Sequence, residues 1–162
     1  MAIRPIRLIG DPVLRTQCET IKTINKDIKQ LIKDLLDTTK LEGRAGVAAN
    51  QIGVPLRAFS LNIEGQTNYL INPEIVFLSK ELQTQIEEGC LSIPDKWYKT
   101  PRSVKAICQG IDLNGQEKII KGEGLLARAL QHECDHLDGK LYIDRLKGSV
   151  KRQALSEIIN NI

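Results

Sequence analysis

The chain contains only two histidines, His132 and His136, and both fall in the stretch QHECDHLDG at 131–139. On a helix, residues four apart stand one above the other on the same face. Two imidazoles would then point at a common spot, as two ligands of one metal ion must. Glu133 lies about 100° around such a helix from His132, placed to reach a water at the metal rather than the metal itself. The surrounding residues support the helix. Leu126, Leu130, Cys134 and Leu137 recur at helical spacing, Glu123 suits the positive N-terminal end, and Gly139 can end the helix in a left-handed conformation.

Two protein ligands leave a metal under-coordinated, and catalytic centres usually supply three and keep one position open. A metzincin-type continuation would need a third histidine where this chain has Tyr142, after His136 and Gly139. A thermolysin-type site would need a glutamate further on. Glu157 is the one candidate, and its setting, RQALSEIIN, reads as an ordinary amphipathic helix. Among the cysteines, Cys134 is two residues from His132, about 200° around the helix, and reads as a small buried residue. Cys18 and Cys108 read as core thiols. Cys90, in EEGCLSIP beside Gly89 and ahead of Pro94, is the preferred third ligand.

The elements that must position these residues follow from periodicity. At 162 residues and 41% hydrophobic, residues 1–162 form one domain with chain enough for a core. An amphipathic helix is expected over 25–41, with Ile28, Leu31, Ile32, Leu35 and Leu36 on one face and Gly43 beyond its end. Strands are expected over 57–63, 68–72 and 74–88, and a hairpin over 104–122 with its turn at Asn114-Gly115. The histidine helix and a last helix over 149–160 complete the chain. Helices and antiparallel strands in separate runs indicate an α+β domain, with strands wrapped around a central helix carrying HExxH and a further helix near each end. Unpaired cysteine spacing suits a reducing cytoplasm, no 18-residue apolar run argues for a membrane, and a net charge of +3 is too small to argue DNA binding.

Three stretches, AGVAANQIG (45–53), EGCLS (88–92) and QHECDHLDG (131–139), occur in the order of the three signature motifs of peptide deformylases, and the opening IRLIGDPVLR also resembles that family's N-terminal segment. The resemblance covers nearly the whole chain. It departs at Arg44 and Ala45, where the family's first motif usually begins with glycine, and at Trp97, near where many members carry an arginine. The resemblance implies removal of the formyl group from the N-formylmethionine of newly synthesised polypeptides. It implies a divalent metal on Cys90, His132 and His136, with Fe2+ as the native ion and Ni2+, Co2+ or Zn2+ as substitutes. It assigns oxyanion donation to the Gln51 side-chain amide and the Leu91 backbone N–H. It also raises docking of the C-terminal helix, behind Arg145, Lys147, Lys151 and Arg152, on the ribosome.

Candidate walls of the methionine pocket follow from position. Leu125, Arg128 and Ala129 sit on or near the His132 face of the helix. Ile86 and Glu88 alternate on the strand leading to Cys90. Ala45 and Trp97 join them, while Gly46 and Gly89 let an extended substrate lie along the backbone as an added strand. Two other classes compete with this reading. A zinc endopeptidase lacks its third ligand here, and a structural metal module would close all four positions and leave Glu133 and Gln51 without purpose.

Overall fold

A computed structural model describes residues 2–160. Asn25 opens helix α1 (Lys26–Thr39), its Oδ1 accepting the Ile28 N–H at 3.0 Å. Ile28, Leu31, Ile32 and Leu35 are its buried stripe. The strands that follow are β1 (Gly46–Ala48), β2 (Ala58–Ile63), β3 (Gln66–Leu78), β4 (Leu82–Gln83), β5 (Glu87–Cys90), β6 (Ile93–Lys99), β7 (Arg102–Ser103), β8 (Lys105–Ile111) and β9 (Glu117–Glu123). Helix α2 (Leu125–Leu137) carries the histidines, and α3 (Gly148–Ile159) ends the described chain. Strands β1-β2-β3-β8-β9 form an antiparallel sheet of five in that order, while β4-β7 and β5-β6 are separate two-stranded sheets.

Helix α2 is the centre of this α+β architecture. Ala127, Leu130, Cys134 and Leu137 pack on Phe59, Leu61, Leu70, Ala106, Cys108 and Ile120 of the large sheet. The opposite face of β1, β2 and β3 is covered by α1 through Val47, Ala58 and Ile71, with Ala49 of the turn after β1. This two-sided cover explains why Ala58–Leu61 is buried at every position instead of alternating. Helix α3 closes the other side, where Ala154 and Ile158 join Leu14, Ile93, Tyr98, Tyr142 and Leu146.

The expected elements are found with three differences. Residues 68–72 and 74–78 belong to one long strand, β3, bent at Asn72, whose φ is +52°. The expected strand over 74–88 is instead three: β3 ends at Leu78, β4 pairs with β7, and β5 pairs with β6. Successive segments here have different partners, which local alternation does not encode. Glu123 ends β9 rather than capping α2; the helix begins after Gly124, with φ +62° and no side-chain cap. Gly139 takes φ +73° as expected, and a Cβ there would come within 2.7 Å of the Arg15 carbonyl oxygen.

Asn72 fastens the N-terminal segment to the sheet. Its Oδ1 accepts the Ile21 N–H at 2.8 Å and its Nδ2 donates to the Ile21 carbonyl at 2.9 Å. Asn72→Ala removes both bonds and leaves at positive φ a residue less tolerant of that conformation than asparagine, so it should cost about 2–4 kcal/mol in urea unfolding. Asn72→Gly, which keeps the conformation, should cost clearly less; equal losses would show that backbone conformation contributes nothing.

Candidate metal centre

The ligand atoms of Cys90, His132 and His136 lie within 4.8 Å of one another. The histidine Nε2 atoms are 3.1 Å apart, and Cys90 Sγ is 3.3 Å from His136 Nε2. His132 donates from Nδ1 to Glu88 Oε2 at 2.5 Å, which fixes its tautomer and leaves the Nε2 lone pair facing the cluster. Three electron-pair donors converging with so few protons between them are suited to a divalent cation, and this donor set is compatible with zinc and ferrous iron alike. Asn50 donates to the His136 carbonyl at 2.6 Å and holds the end of the helix against the turn after β1.

Glu88 lines the cavity, as expected, and its carboxylate is also the hub of a buried network of cations. It is buried, and its carboxylate accepts from Arg102 Nε and Nη2 at 3.0 and 2.7 Å, from Arg128 Nη1 at 2.7 Å and from His132. Burial alone would raise its pKa. The hydrogen bond and charge of His132, then those of Arg102, outweigh burial and hold it well below the usual carboxylate range. Arg102 reaches on to Asp135 Oδ2 at 2.6 Å, and Arg145 grips the same carboxylate at 2.7 Å. Arg128, expected as a pocket wall, lines the cavity but commits its guanidinium to Glu88 and the Thr100 carbonyl.

Glu133 is buried, and burial, first among its influences, pushes its pKa up to about 7. Its Oε1 has no hydrogen-bond partner. The carboxylate lies against Gly46, where a Cβ would come within 2.7 Å of Oε2, so the glycine makes room for the acid. Gln51 is held at both ends of its amide: Oε1 accepts the Ala48 N–H at 2.9 Å, and Nε2 donates to Ser92 Oγ at 3.1 Å and lies 3.7 Å from Cys90 Sγ. Its nitrogen therefore faces the ligand cluster. Leu91 sits in the turn between β5 and β6.

A cavity of about 430 Å³ opens beside these groups. Every expected substrate-binding residue lines it: Ala45, Gly46, Ile86, Glu88, Gly89, Trp97, Leu125, Arg128 and Ala129. So do Gln51, Cys90, Leu91, His132 and Glu133. Trp97 is exposed and covers Gly89. Glu157 lies elsewhere, 3.9 Å from Lys96 Nζ and accepting from the Tyr98 hydroxyl. Tyr142 occupies no ligand position; its ring stands 6.2 Å from that of His132. Cys134 is buried against Cys108, their sulfurs 3.7 Å apart. Sequence reading missed Ser92, Asn50, Arg102 and Asp135. A signal for the last two existed in the apolar environment of α2, where a buried acid demands a cation.

A family model described as polypeptide deformylase matches residues 3–152. A peptide deformylase of Acidothermus cellulolyticus is 46% identical over 158 residues, covering 98% of this chain and 87% of the relative. One from Caldanaerobacter subterraneus is 42% identical over 159 residues, covering 98% of each. The crystal structure of the Thermotoga maritima peptide deformylase superposes with a TM-score of 0.85 at 33% identity, covering 91% of this chain and all of that one. A Synechococcus elongatus peptide deformylase in complex with actinonin gives 0.88 at 32% identity, covering 99% of this chain and 86% of that one. Enzymes of one hydrolytic class thus share this fold throughout its length. The chain belongs to the polypeptide deformylase family.

The Glu88 cluster can be tested without any metal. Glu88→Ala leaves Arg102 and Arg128 buried beside each other without their shared anion. In urea unfolding of the metal-free protein it should cost about 3–5 kcal/mol. A loss under about 1 kcal/mol would show that water or Asp135 replaces the carboxylate.

Proposed function

We propose that this chain uses Cys90, His132 and His136 to hold one divalent metal ion, and Glu133 to move the protons, in hydrolysing the formamide of N-formylmethionyl nascent peptides. The activity, release of formate from the N-formylmethionine that begins newly synthesised polypeptides, goes with the family. The observation that carries the site assignment is the buried Glu133 carboxylate with an unpartnered oxygen, in the same cavity as the Cys90–His132–His136 cluster.

A divalent ion held by Cys90, His132 and His136 would supply Lewis acidity, lowering the pKa of water so that hydroxide is available near neutral pH. Glu133 Oε1 accepts the proton of the attacking water and returns it to the departing amine nitrogen. The Gln51 Nε2 and the Leu91 backbone N–H donate to the formyl oxygen as charge gathers on it. Oriented by Ala48, the Gln51 amide makes that donation without first reorganising. Beside the cluster, the alternation of an extended peptide sends the methionine side chain inward, between Ile86, Leu125 and Ala129. Ala45, Gly46 and Gly89 present backbone to it. An endopeptidase reading has no support from Glu157 or Tyr142, both committed elsewhere.

The reading includes a cytoplasmic setting and docking on the ribosome through α3, with Lys147, Lys151 and Arg152 as its basic face. Arg145, exposed ahead of the helix, belongs to that face and also pairs with Asp135. No helix among the described residues is long and apolar enough to cross a membrane.

Glu133→Gln should keep its metal and lose nearly all formate release, because the residue transfers protons and ligates nothing. Metal content measured beside activity on a formyl-Met peptide, with cleavage of an internal peptide bond as control, decides the role; a metal-free variant would make Glu133 a ligand.

Ferrous iron is our choice for the native ion, with nickel or cobalt as serviceable replacements and zinc a poor one. An iron-loaded sample prepared anaerobically should lose formate release within hours in air, as iron or the Cys90 thiolate oxidises, while a nickel-loaded one persists. Equal durability, or full activity with zinc alone, would remove the iron assignment.

A further inference from the structure

His136 is held less completely than its companion ligand. His132 stands in the middle of α2, and its Nδ1 donates to Glu88. His136 lies in the last turn of the helix, one residue before its end at Leu137, where helices fray. Its Nδ1 is buried and has no hydrogen-bond partner, so no side chain orients this ring from behind. Yet Nε2 must offer its lone pair to the cluster for His136 to ligate, which puts the ring proton on Nδ1. The direction of this ligand therefore rests on its backbone.

That backbone is gripped by Asn50. The residue is fully buried in a one-turn 3-10 helix (Ala49–Ile52) between β1 and β2. Its Nδ2 donates to the His136 carbonyl at 2.6 Å and to the Val13 carbonyl at 3.5 Å. Two carbonyls thus take both hydrogens of the amide and fix which of its ends is nitrogen. The other end, Oδ1, is buried without a partner. An amide left half-answered in the interior is a poor stabiliser, because desolvation of the oxygen offsets much of what the donor end gains. Nor does the His136 carbonyl need Asn50 to be satisfied, since it accepts the Gly139 N–H at 3.0 Å. A leucine of similar size would suit this place better if packing were the only demand. What the asparagine adds is position.

We propose that Asn50 is a positioning residue for the metal centre: its amide fixes the last turn of α2, and with it the direction from which His136 Nε2 meets the ion. The proposal rests on the ligand set proposed above. The same short turn carries Gln51, whose amide is anchored separately on Ala48 and Ser92. One segment then sets both a ligand and an oxyanion donor.

The test compares the full-length wild type with Asn50→Leu, which keeps the volume and loses the amide, and Asn50→Ala, which loses both. Each protein is stripped of metal and titrated anaerobically with cobalt in competition with a chromophoric chelator. Both variants should bind cobalt roughly tenfold to a hundredfold more weakly than wild type, the range for lost support behind a metal ligand. The visible ligand-field bands of their cobalt forms should also move, because these report how the ligands stand about the ion. Metal-free Asn50→Leu should unfold in urea at a midpoint near that of wild type. Asn72→Ala, destabilised through Ile21 rather than through a ligand, should bind cobalt as wild type does. Wild-type affinity and bands in either Asn50 variant overturn the proposal, and so does an equal loss of affinity in Asn72→Ala, which would make metal binding a mere echo of stability. Failure of the wild type to bind cobalt removes the ligand set itself, and this inference with it.

Discussion

The site depends on one buried carboxylate. Strand β5 is four residues long and pairs only with β6, so no backbone ladder ties Cys90 to the helix that carries the histidines. Glu88 makes that tie. Its charge cannot stand alone in the interior, and it is matched by two guanidiniums and the His132 imidazole from elements distant in sequence. Because Arg102 also holds Asp135, and Asp135 holds Arg145, the pairing runs from β5 across α2 to the segment before α3. Removing the anion would disturb ligand direction and packing together. Orientation of His132 and placement of Cys90 are therefore one property of the fold, not two.

Close approach is the complementary constraint. Glu133 points into the cavity only because Gly46 has no side chain, and Gln51 faces the cluster only because the Ala48 N–H fixes which end of its amide is oxygen. The run of small residues at 45–49 thus serves two ends. Val47, Ala48 and Ala49 are fully buried between α1 and α2, while Ala45 and Gly46 line the cavity. A larger residue anywhere in the run would separate the general base from its surroundings or push the helix away from the sheet.

What was readable in the sequence was what local spacing encodes. The i, i+4 histidines, the stripe on α1 and the hairpin over 104–122 each depend on residues a few positions apart, and each stands close to where it was expected. The break-up of 74–88 into β3, β4 and β5 was not readable, because which strand pairs with which is decided by chain far away. Glu88 shows the same limit at the level of one side chain. Alternation with Ile86 placed it correctly at the cavity, yet its partners lie 14, 40 and 44 positions along the chain, and nothing near it announces them. Arg128 shows the limit too: helical spacing placed it at the cavity, but not that its charge was already engaged by Glu88. Cys90, the proposed third ligand, was singled out by its glycine neighbour and the EGCLS motif, a cue of sequence rather than of geometry; the structure brings its sulfur beside the two histidines.

The separation of β5 from the large sheet has a consequence for the order in which the molecule is made. Cys90 is made before its partners, on a short ribbon that owes its position to Arg102, Arg128 and His132, all still to come. Until α2 has been translated and has docked, the Cys90 sulfur has no histidine beside it and Glu88 lacks Arg128 and His132. The proposed ligand set is therefore complete only once α2 is in place. A molecule that trims the beginnings of other nascent chains cannot hold its ion until nearly all of its own core has formed.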